Sequence, residues 1–339
     1  MRTEKGGTRL TTIHPSSDEL QSAVGLAVRA PSIHNTQPWR WALRPDGLDL
    51  YADKARQLTV ADPDGHALMV SCGAALDLAR LGLAAAGYQT SVSRMPDPAD
   101  TDLLARIVVT GRGPVPEETE LRVAAARQRH SDRRPFAARA VSPELLELLT
   151  AQVQDDGVYL HVVQGSDESL DLAVLVSRAD QALHADPAYQ RELASWTRTE
   201  RSSDGVPAAA VPHVTGSEPR HADVPVRDFE AGITGALQVE GGQAEDPALA
   251  VIMTTDRGVE GYLHAGEGLS RLLVGAQQQG LAASIISQPV DWPVVRERMR
   301  GLMSWADYPQ ILVRIGWPVA GETGDLTPRR PMADVIDPA

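Results

Sequence analysis

The chain has 339 residues, of which 42% are apolar and 23% charged, an ordinary globular composition that excludes a wholly disordered or fibrous protein. It carries 32 basic and 45 acidic residues, a net charge of −13. Because so negative a surface repels phosphate backbones and anionic headgroups, we expect neither nucleic acid nor a membrane as a partner. Any anionic ligand must be held by a local cluster of arginines.

Cysteine usage and the N-terminal residues indicate the compartment. Cys72 is the single cysteine, which excludes an intramolecular disulfide and a cysteine-based zinc site. Residues 1–15 contain charges and glycines but no apolar segment of the kind that signal peptides have. No run of 18 apolar residues occurs either. We therefore expect a cytoplasmic protein.

Helix and strand signals follow one another through the first third of the chain. Ser16 and Glu19 form a capping box that predicts a helix from Ser17 to about Arg29, which Pro31 ends. Further on, the sequence predicts a hairpin over 37–52, a long apolar helix over 65–86 and a strand over 105–110.

The second part of the chain repeats these signals. Ser142 and Pro143 begin a helix that resembles the first one, and residues 266–281 resemble residues 73–88. We therefore predict an α+β protein made of a duplicated unit. Its predicted parts are a flexible tail (1–14), an N-terminal half (15–115) and a C-terminal half (116–339). The C-terminal half carries an insertion at about 192–241.

The predicted insertion, which we call the cover segment (192–241), is rich in Pro, Ser, Gly, His and Asp and has no apolar period. Loops this long are usually lids, binding loops or disordered segments. Composition leaves two interpretations open, a lid over a binding site and a plain disordered insertion. Trp196 and Phe229 flank its centre and are the expected apolar anchors of a lid.

Two polar segments could carry chemistry. Residues 29–39 present Ser32, Asn35 and Gln37 from an irregular backbone, and such side chains can bond a flat polar heterocycle. Composition fits equally well an ordinary helix-to-strand turn anchored by Trp39.

Residues 127–136 form the densest basic cluster, with several arginines, a histidine and a serine. Arginine forks beside a hydroxyl are typical of a phosphate site. A solvated charge run on a linker between the two halves fits this composition equally well.

Together these segments resemble the nitroreductase family of flavoproteins, in its Acg-type branch. The family's Arg-x-Ser-x-Arg opening and the helix after it match residues 129–133 and 142–149. Its Ala-Pro-Ser-x-x-Asn-x-Gln-Pro-Trp stretch matches residues 30–39, and its final strand and Arg-x-Pro segment match residues 315–318 and 329–331. The family binds FMN at a dimer interface, between the first stretch of one subunit and the second stretch of the other. Here each half keeps one stretch and lacks the other, so the resemblance implies a monomeric, fused pseudo-dimer with one complete site.

The resemblance also implies roles for individual residues. Arg129, Ser131 and the C-terminal arginines should hold the FMN phosphate, and Arg133 should lie near the ribityl chain or the N1 edge of the ring. Pro31, Ser32 and Asn35 should meet the isoalloxazine, and the 284–289 stretch should follow its N5 side. The full set of expected cofactor contacts is Arg129, His130, Ser131, Arg133, Pro31, Ser32, Asn35, Gln37, Ser287, Gln288, Pro289, Arg329 and Arg330.

The implied activity is that of an FMN-dependent oxidoreductase, which takes hydride from NAD(P)H and passes electrons to a nitro, quinone or other conjugated acceptor. Since the flavin does this chemistry, no protein acid or base and no metal is expected. Two alternatives stay open: a protein that stores or sequesters FMN under a lid, and a specialised dehydrogenase of a biosynthetic pathway.

Overall fold

The computed structural model describes residues 14–200, 202–215, 227, 229, 234–240, 244–319 and 327–338. The α-helices in these ranges are α1 (Ser17–Ala27), α2 (His66–Ala85), α3 (Glu117–Gln128), α4 (Pro143–Val153), α5 (Gly165–His184), α6 (Pro187–Ser195), α7 (Val259–Gln278), α8 (Gln288–Asp291), α9 (Pro293–Leu302) and α10 (Met332–Val335). The strands are β1 (Trp39–Arg44), β2 (Gly47–Ala52), β3 (Tyr88–Arg94), β4 (Leu103–Arg112), β5 (Val158–Val162), β6 (Thr197–Arg198), β7 (Val206–Pro207), β8 (Pro212–Thr215), β9 (Leu237–Glu240), β10 (Ala248–Thr254), β11 (Ala282–Ile286) and β12 (Tyr308–Gly316).

Two four-stranded sheets share one topology. The first has the order β1-β2-β4-β3 and the second the order β5-β10-β12-β11, and all pairs in both are antiparallel. In each half a helix precedes the first strand and a long helix separates the second strand from the third, so α1 corresponds to α4 and α2 to α7. The mixed fold of helices and antiparallel sheets agrees with the prediction.

Local signals explain where the helices begin and end. Ser16 accepts a hydrogen bond from the Glu19 backbone while the Glu19 carboxylate bonds back to Ser16, so the predicted capping box is formed. Ser142 accepts a hydrogen bond from the Leu145 amide at the start of α4, where Pro143 is the first helical residue. Gly87, with φ +83°, provides the left-handed residue after α2 that non-glycine residues rarely adopt.

The long helices α2 and α7 cross through two glycines. A Cβ on Gly73 would lie 2.1 Å from the Leu263 carbonyl oxygen, and one on Gly266 would lie 2.0 Å from the Val70 carbonyl oxygen. Each glycine therefore allows the backbone of the other helix to approach, and Gly73 and Gly266 are the first residues of the two similar sequence segments. By length and composition α2 could span a membrane, but 78% of the relevant window is buried inside the protein, as in a core helix.

The additional part of the second half begins earlier than the cover segment predicted at 192–241. It separates β5 from β10, at the place where the first half has a tight turn between β1 and β2, and it starts with α5 and α6. Its apolar residues form a third core with Leu58 and Ala61 of the first half; the members from the additional part are Leu183, Tyr189, Leu193, Val206, Val211 and Phe229. The tail predicted at 1–14 lies outside the described residues except for His14, as does part of the cover segment.

The end of the chain returns to the first half. Ile336 forms a parallel β-bridge with Trp41, and the Asp337 amide donates to the Trp41 carbonyl. Arg40 pairs with Asp337 beside this contact, at 2.8 Å. The residues just before it, around Arg329, are thereby held against the first half.

Substituting Gly73→Ala should lower the free energy of unfolding by about 2 kcal/mol or more, because the added methyl forces two packed helix backbones apart. Gly25→Ala is the matched control, since a Cβ there meets nothing within 4 Å and alanine favours a helix. Urea denaturation of both variants checks this, and an equal response at the two positions would contradict the close crossing.

Candidate cofactor site between the two halves

A cavity with about 1010 Å³ of empty space, part of it open to solvent, lies between the two halves. The first half contributes residues after α1 and from the start of α2, and the second half contributes Leu269 of α7 and Ile311 of β12. Residues 129–133 enter from α3, where Ser131 bridges Ala283 at the edge of β11. The crossing of α2 and α7 therefore places both predicted motifs on one cavity.

The segment after α1 has an unusual backbone. His34, Asn35 and Gln37 have φ values of 45°, 54° and 50°, in the left-handed region that costs non-glycine residues free energy. Two hydroxyls hold it there: Ser71 accepts from the Ile33 amide at 3.2 Å, and Ser32 accepts from the Gln37 amide at 3.0 Å. Strain of this kind persists where the surroundings fix it and is common in ligand sites.

The amides of Asn35 and Gln37 bond to the protein itself. Asn35 donates to the carbonyls of Gly205 and Pro328, at 3.0 and 3.1 Å, and accepts from Arg329. Gln37 donates to the Ser203 carbonyl and accepts from the Arg330 amide, both at 2.8 Å. These side chains thus join the strained segment to the cover segment and to the C-terminal arginines.

Two arginines that line the cavity, Arg129 and Arg329, have no carboxylate partner among the described residues. Arg129 is 5% exposed, and its Nε and Nη1 have no hydrogen-bond partner among the described residues. Arg129 and Arg329 both donate to the Arg29 carbonyl, at 2.9 and 3.3 Å. Burial and the neighbouring guanidinium groups lower the pKa of Arg129 to about 10 and that of Arg329 to about 9. Such a cluster is suited to an anionic group with several oxygens.

Phe229 and Arg227 of the cover segment also line the cavity. Phe229 is 5% exposed; its ring contacts the His34 ring edge-on at 5.4 Å, and Arg133 stacks on it at 5.0 Å. Arg227 is buried and pairs with Asp291 and the Tyr189 hydroxyl, and it donates to Ser287 at 2.9 Å. The cover segment thus contributes an aromatic ring that a buried ion pair holds in place.

Sequence comparisons decide the family. A Mycobacterium tuberculosis protein named "Putative NAD(P)H nitroreductase Rv3131" is 35% identical over 338 residues, covering 98% of this chain and 95% of that protein. The same organism's "Putative NAD(P)H nitroreductase acg" is 33% identical over 322 residues, with 95% and 96% covered. The chain belongs to the nitroreductase family. It lies in the branch that includes Acg, as the motifs predicted. No protein-family model matches the chain.

Solved nitroreductase structures are also similar to the chain. A nitroreductase with bound FMN from Desulfitobacterium hafniense gives a TM-score of 0.40 at 14% identity, covering 65% of this chain and 98% of that one. An NADPH:FMN oxidoreductase from Vibrio harveyi complexed with NAD+ gives 0.39 at 12% identity, with 64% and 76% covered.

Within this nitroreductase-family chain, the structure brings most of the predicted contacts to the cavity wall. These are Pro31, Ser32, Asn35, Arg129, His130, Ser131, Arg133, Ser287 and Arg329. The other four, Gln37, Gln288, Pro289 and Arg330, do not line it. Arg330 instead donates to the Gln37 carbonyl and lies 3.5 Å from Asp53, and Gln288 donates to Asp180.

Several lining residues escaped the sequence analysis. Arg29 and His34 lie next to predicted cofactor contacts in the same motif. This adjacency is the only sequence signal that places them in the site. Ser71, Leu269 and Ile311 lie in apolar elements, where nothing in the periodicity separates a cavity wall from a core. Arg227 lies in the cover segment, whereas Phe229 was expected there as an anchor against the cleft. The other predicted anchor, Trp196, packs on the third core and does not line the cavity.

Substituting Arg129→Met should leave the free energy of unfolding of the ligand-free protein unchanged or raise it by about 1 kcal/mol, because a buried cation without a carboxylate stabilises nothing. The matched control is Arg314→Met, another buried arginine, which pairs with Glu245 at 2.9 Å. That change should cost about 3–5 kcal/mol. Chemical denaturation measures both, and an equal loss would show that Arg129 is a structural residue.

Proposed function

We propose that the protein is an FMN-dependent oxidoreductase, which takes hydride from NAD(P)H and passes electrons to a nitro, quinone or other conjugated acceptor. The observation that carries this proposal is the cluster of Arg129 and Arg329, which has no carboxylate among the described residues and lines the cavity of a chain that is 35% identical to a putative NAD(P)H nitroreductase.

The residues present fit FMN. Arg129, Arg329 and Ser131 would hold the phosphate, since unpaired guanidinium N–H groups are the donors that a phosphate oxygen needs. Val70, Leu269 and Ile311 supply apolar surface for a flat ring. FMN would supply the electron-transfer chemistry, and the protein would supply binding, orientation and electrostatics.

The cover segment would exclude water from the ring. Phe229 and Leu269 both line the cavity, and Arg133 and Arg227 place positive charge in the same wall. Positive charge near a flavin favours its anionic reduced form. In this proposal no side chain acts as an acid or base on the flavin.

We further infer that the two halves are a fused pseudo-dimer and that the chain is a monomer in the cytoplasm. Supporting this are the shared strand order of the two sheets and the reciprocal contact of Gly73 and Gly266. In a dimer with twofold symmetry, a residue likewise meets its own equivalent at the axis.

We expect one FMN per chain, because side chains take up the position that corresponds to the cavity through the internal repeat. The correspondence of residues 73–88 with 266–281 puts Glu267 where the first half has Ala74, and its continuation puts Arg94 where the second half has Ser287. Arg94 and Glu267 form an ion pair of 2.7 Å there, which Arg80 joins at 3.0 Å. We infer that these side chains fill the position that corresponds to the Ser287 side of the cavity.

A second candidate function is storage or sequestration of FMN. It is favoured by the contacts that fasten the cover segment to the first half: Arg56 pairs with Asp204, and the Glu192 carboxylate accepts from the amides of Val60 and Ala61 at 3.0 and 2.8 Å. A cover this well fastened would slow the exchange of reductant and acceptor.

The purified protein should carry one FMN per chain, and Arg129→Ala should weaken FMN binding about 10–100-fold, because a charge-assisted bond is worth about 1.5–3 kcal/mol. Arg127→Ala, an exposed arginine of the same segment, is the control. Flavin release and fluorescence titration provide the numbers. Two FMN per chain would contradict the filled second position, and unchanged binding in Arg129→Ala would contradict the phosphate site.

Phe229→Ala should open the cavity, so that dithionite and NADPH reduce the bound flavin about tenfold faster. Trp196→Ala, which disturbs the same third core without touching the cavity, is the control. Anaerobic stopped-flow absorbance measures the rates. If the flavin of the parent protein is reduced slowly and that of Phe229→Ala rapidly, the result favours storage. Rapid turnover of the parent protein favours the oxidoreductase.

A further inference from the structure

The cavity contains a buried histidine that the family assignment does not explain. His34 is 5% exposed, lines the cavity, and neither of its ring nitrogens has a hydrogen-bond partner among the described residues. A buried polar group that bonds to nothing costs about 1–3 kcal/mol. His34 also sits at a strained left-handed φ of 45°. Both costs are explained if a ligand completes the site.

Burial and the charges around it favour the neutral form of the His34 ring. Burial first, and then the guanidinium groups of Arg227 and Arg133, hold its pKa well below the usual range. A neutral imidazole has one N–H that donates and one nitrogen that accepts. It therefore offers a hydrogen bond, without a charge, to a neutral polar atom.

The place of His34 indicates which part of a ligand it would meet. Its ring contacts Phe229 of the cover segment, and its cationic neighbours are Arg133 and Arg227. The arginines suited to a phosphate instead bond to the Arg29 carbonyl. His34 thus lines the part of the cavity next to Phe229, beside which a second flat molecule could stack.

His66 shows what a buried histidine looks like when its role is structural. Its Nε2 bonds to Gln310 at 2.9 Å, and Gln310 in turn donates to Thr254 at 2.6 Å. His66 also contacts an aromatic ring, Tyr262, edge-on, but it does not line the cavity. The two histidines share burial and aromatic contact, but among the described residues the Nε2 of His66 has a hydrogen-bond partner, its Nδ1 has none, and neither ring nitrogen of His34 has one.

We propose that His34 is a specificity-determining residue whose neutral ring N–H donates a hydrogen bond to a carbonyl or nitro oxygen of a flat acceptor bound under Phe229. This inference rests on the proposed oxidoreductase function and names the feature of the acceptor that the site reads. An acceptor with oxygens on its ring plane satisfies the imidazole, whereas a hydrocarbon of the same shape leaves it unpaired.

The test compares two ligands of nearly equal shape, 1,4-naphthoquinone and naphthalene, on the oxidised FMN-loaded protein without an electron donor. Binding is followed by the change in the visible flavin spectrum. The parent should bind the quinone more tightly than the hydrocarbon. His34→Phe, which keeps an aromatic ring against Phe229, should lower quinone affinity about tenfold and leave naphthalene affinity unchanged or higher.

Two further variants keep the result interpretable. His34→Gln retains a donor and an acceptor and should recover part of the preference for the quinone. His66→Gln is the matched control and should leave the preference as in the parent. A thermal unfolding curve and the FMN content of each variant show whether it has folded.

Each outcome bears on one proposal. A parent protein that binds no FMN overturns the proposed function. An FMN-loaded parent that binds naphthoquinone no more tightly than naphthalene overturns the inference on His34 alone, as does a His34→Phe variant that loses affinity for both ligands equally.

Discussion

The rest of the structure depends on the close crossing of α2 and α7. Both helices are nearly buried, and the absence of a Cβ at Gly73 and Gly266 lets their backbones touch. Each helix also packs on the sheet of its own half, so the crossing sets how the two sheets lie relative to each other. The cavity follows from it, because α2 supplies Val70 and Ser71 to one wall while α7 supplies Leu269 to another.

The site keeps features that cost stability. The arginine cluster has no carboxylate among the described residues, the segment after α1 is strained, and His34 is unpaired. The chain has a net charge of −13, so carboxylates that could neutralise those arginines are abundant. Elsewhere in the fold a buried arginine, Arg314, does pair with a carboxylate, that of Glu245. Interactions left open in a folded protein are expected where a ligand is to complete them.

Much of the fold could be predicted because its signals are local. The capping box at Ser16 and the turn before Gly47 mark the ends of elements whatever surrounds them. Helix α3 was missed because only Ala125 and Ala126 are buried in it, so it lacks an apolar period. In the site, motifs located residues 129–133 and 31–35, but a motif cannot tell which side chains turn inward. Gln37 and Arg330 belong to the motifs and bond to each other instead of lining the cavity.

Two sheets with the same strand order carry different polar contacts at positions that correspond in the sequence. Where Arg94 pairs with Glu267, the two charges satisfy each other. Where the second half has Ser287, a small side chain leaves room, and Arg227 reaches in from the cover segment to bond it. The same strand order therefore carries a closed ion pair at one of these positions and a small hydroxyl side chain at the other. Backbone topology alone does not reveal this difference, because it lies in which charged side chains are paired.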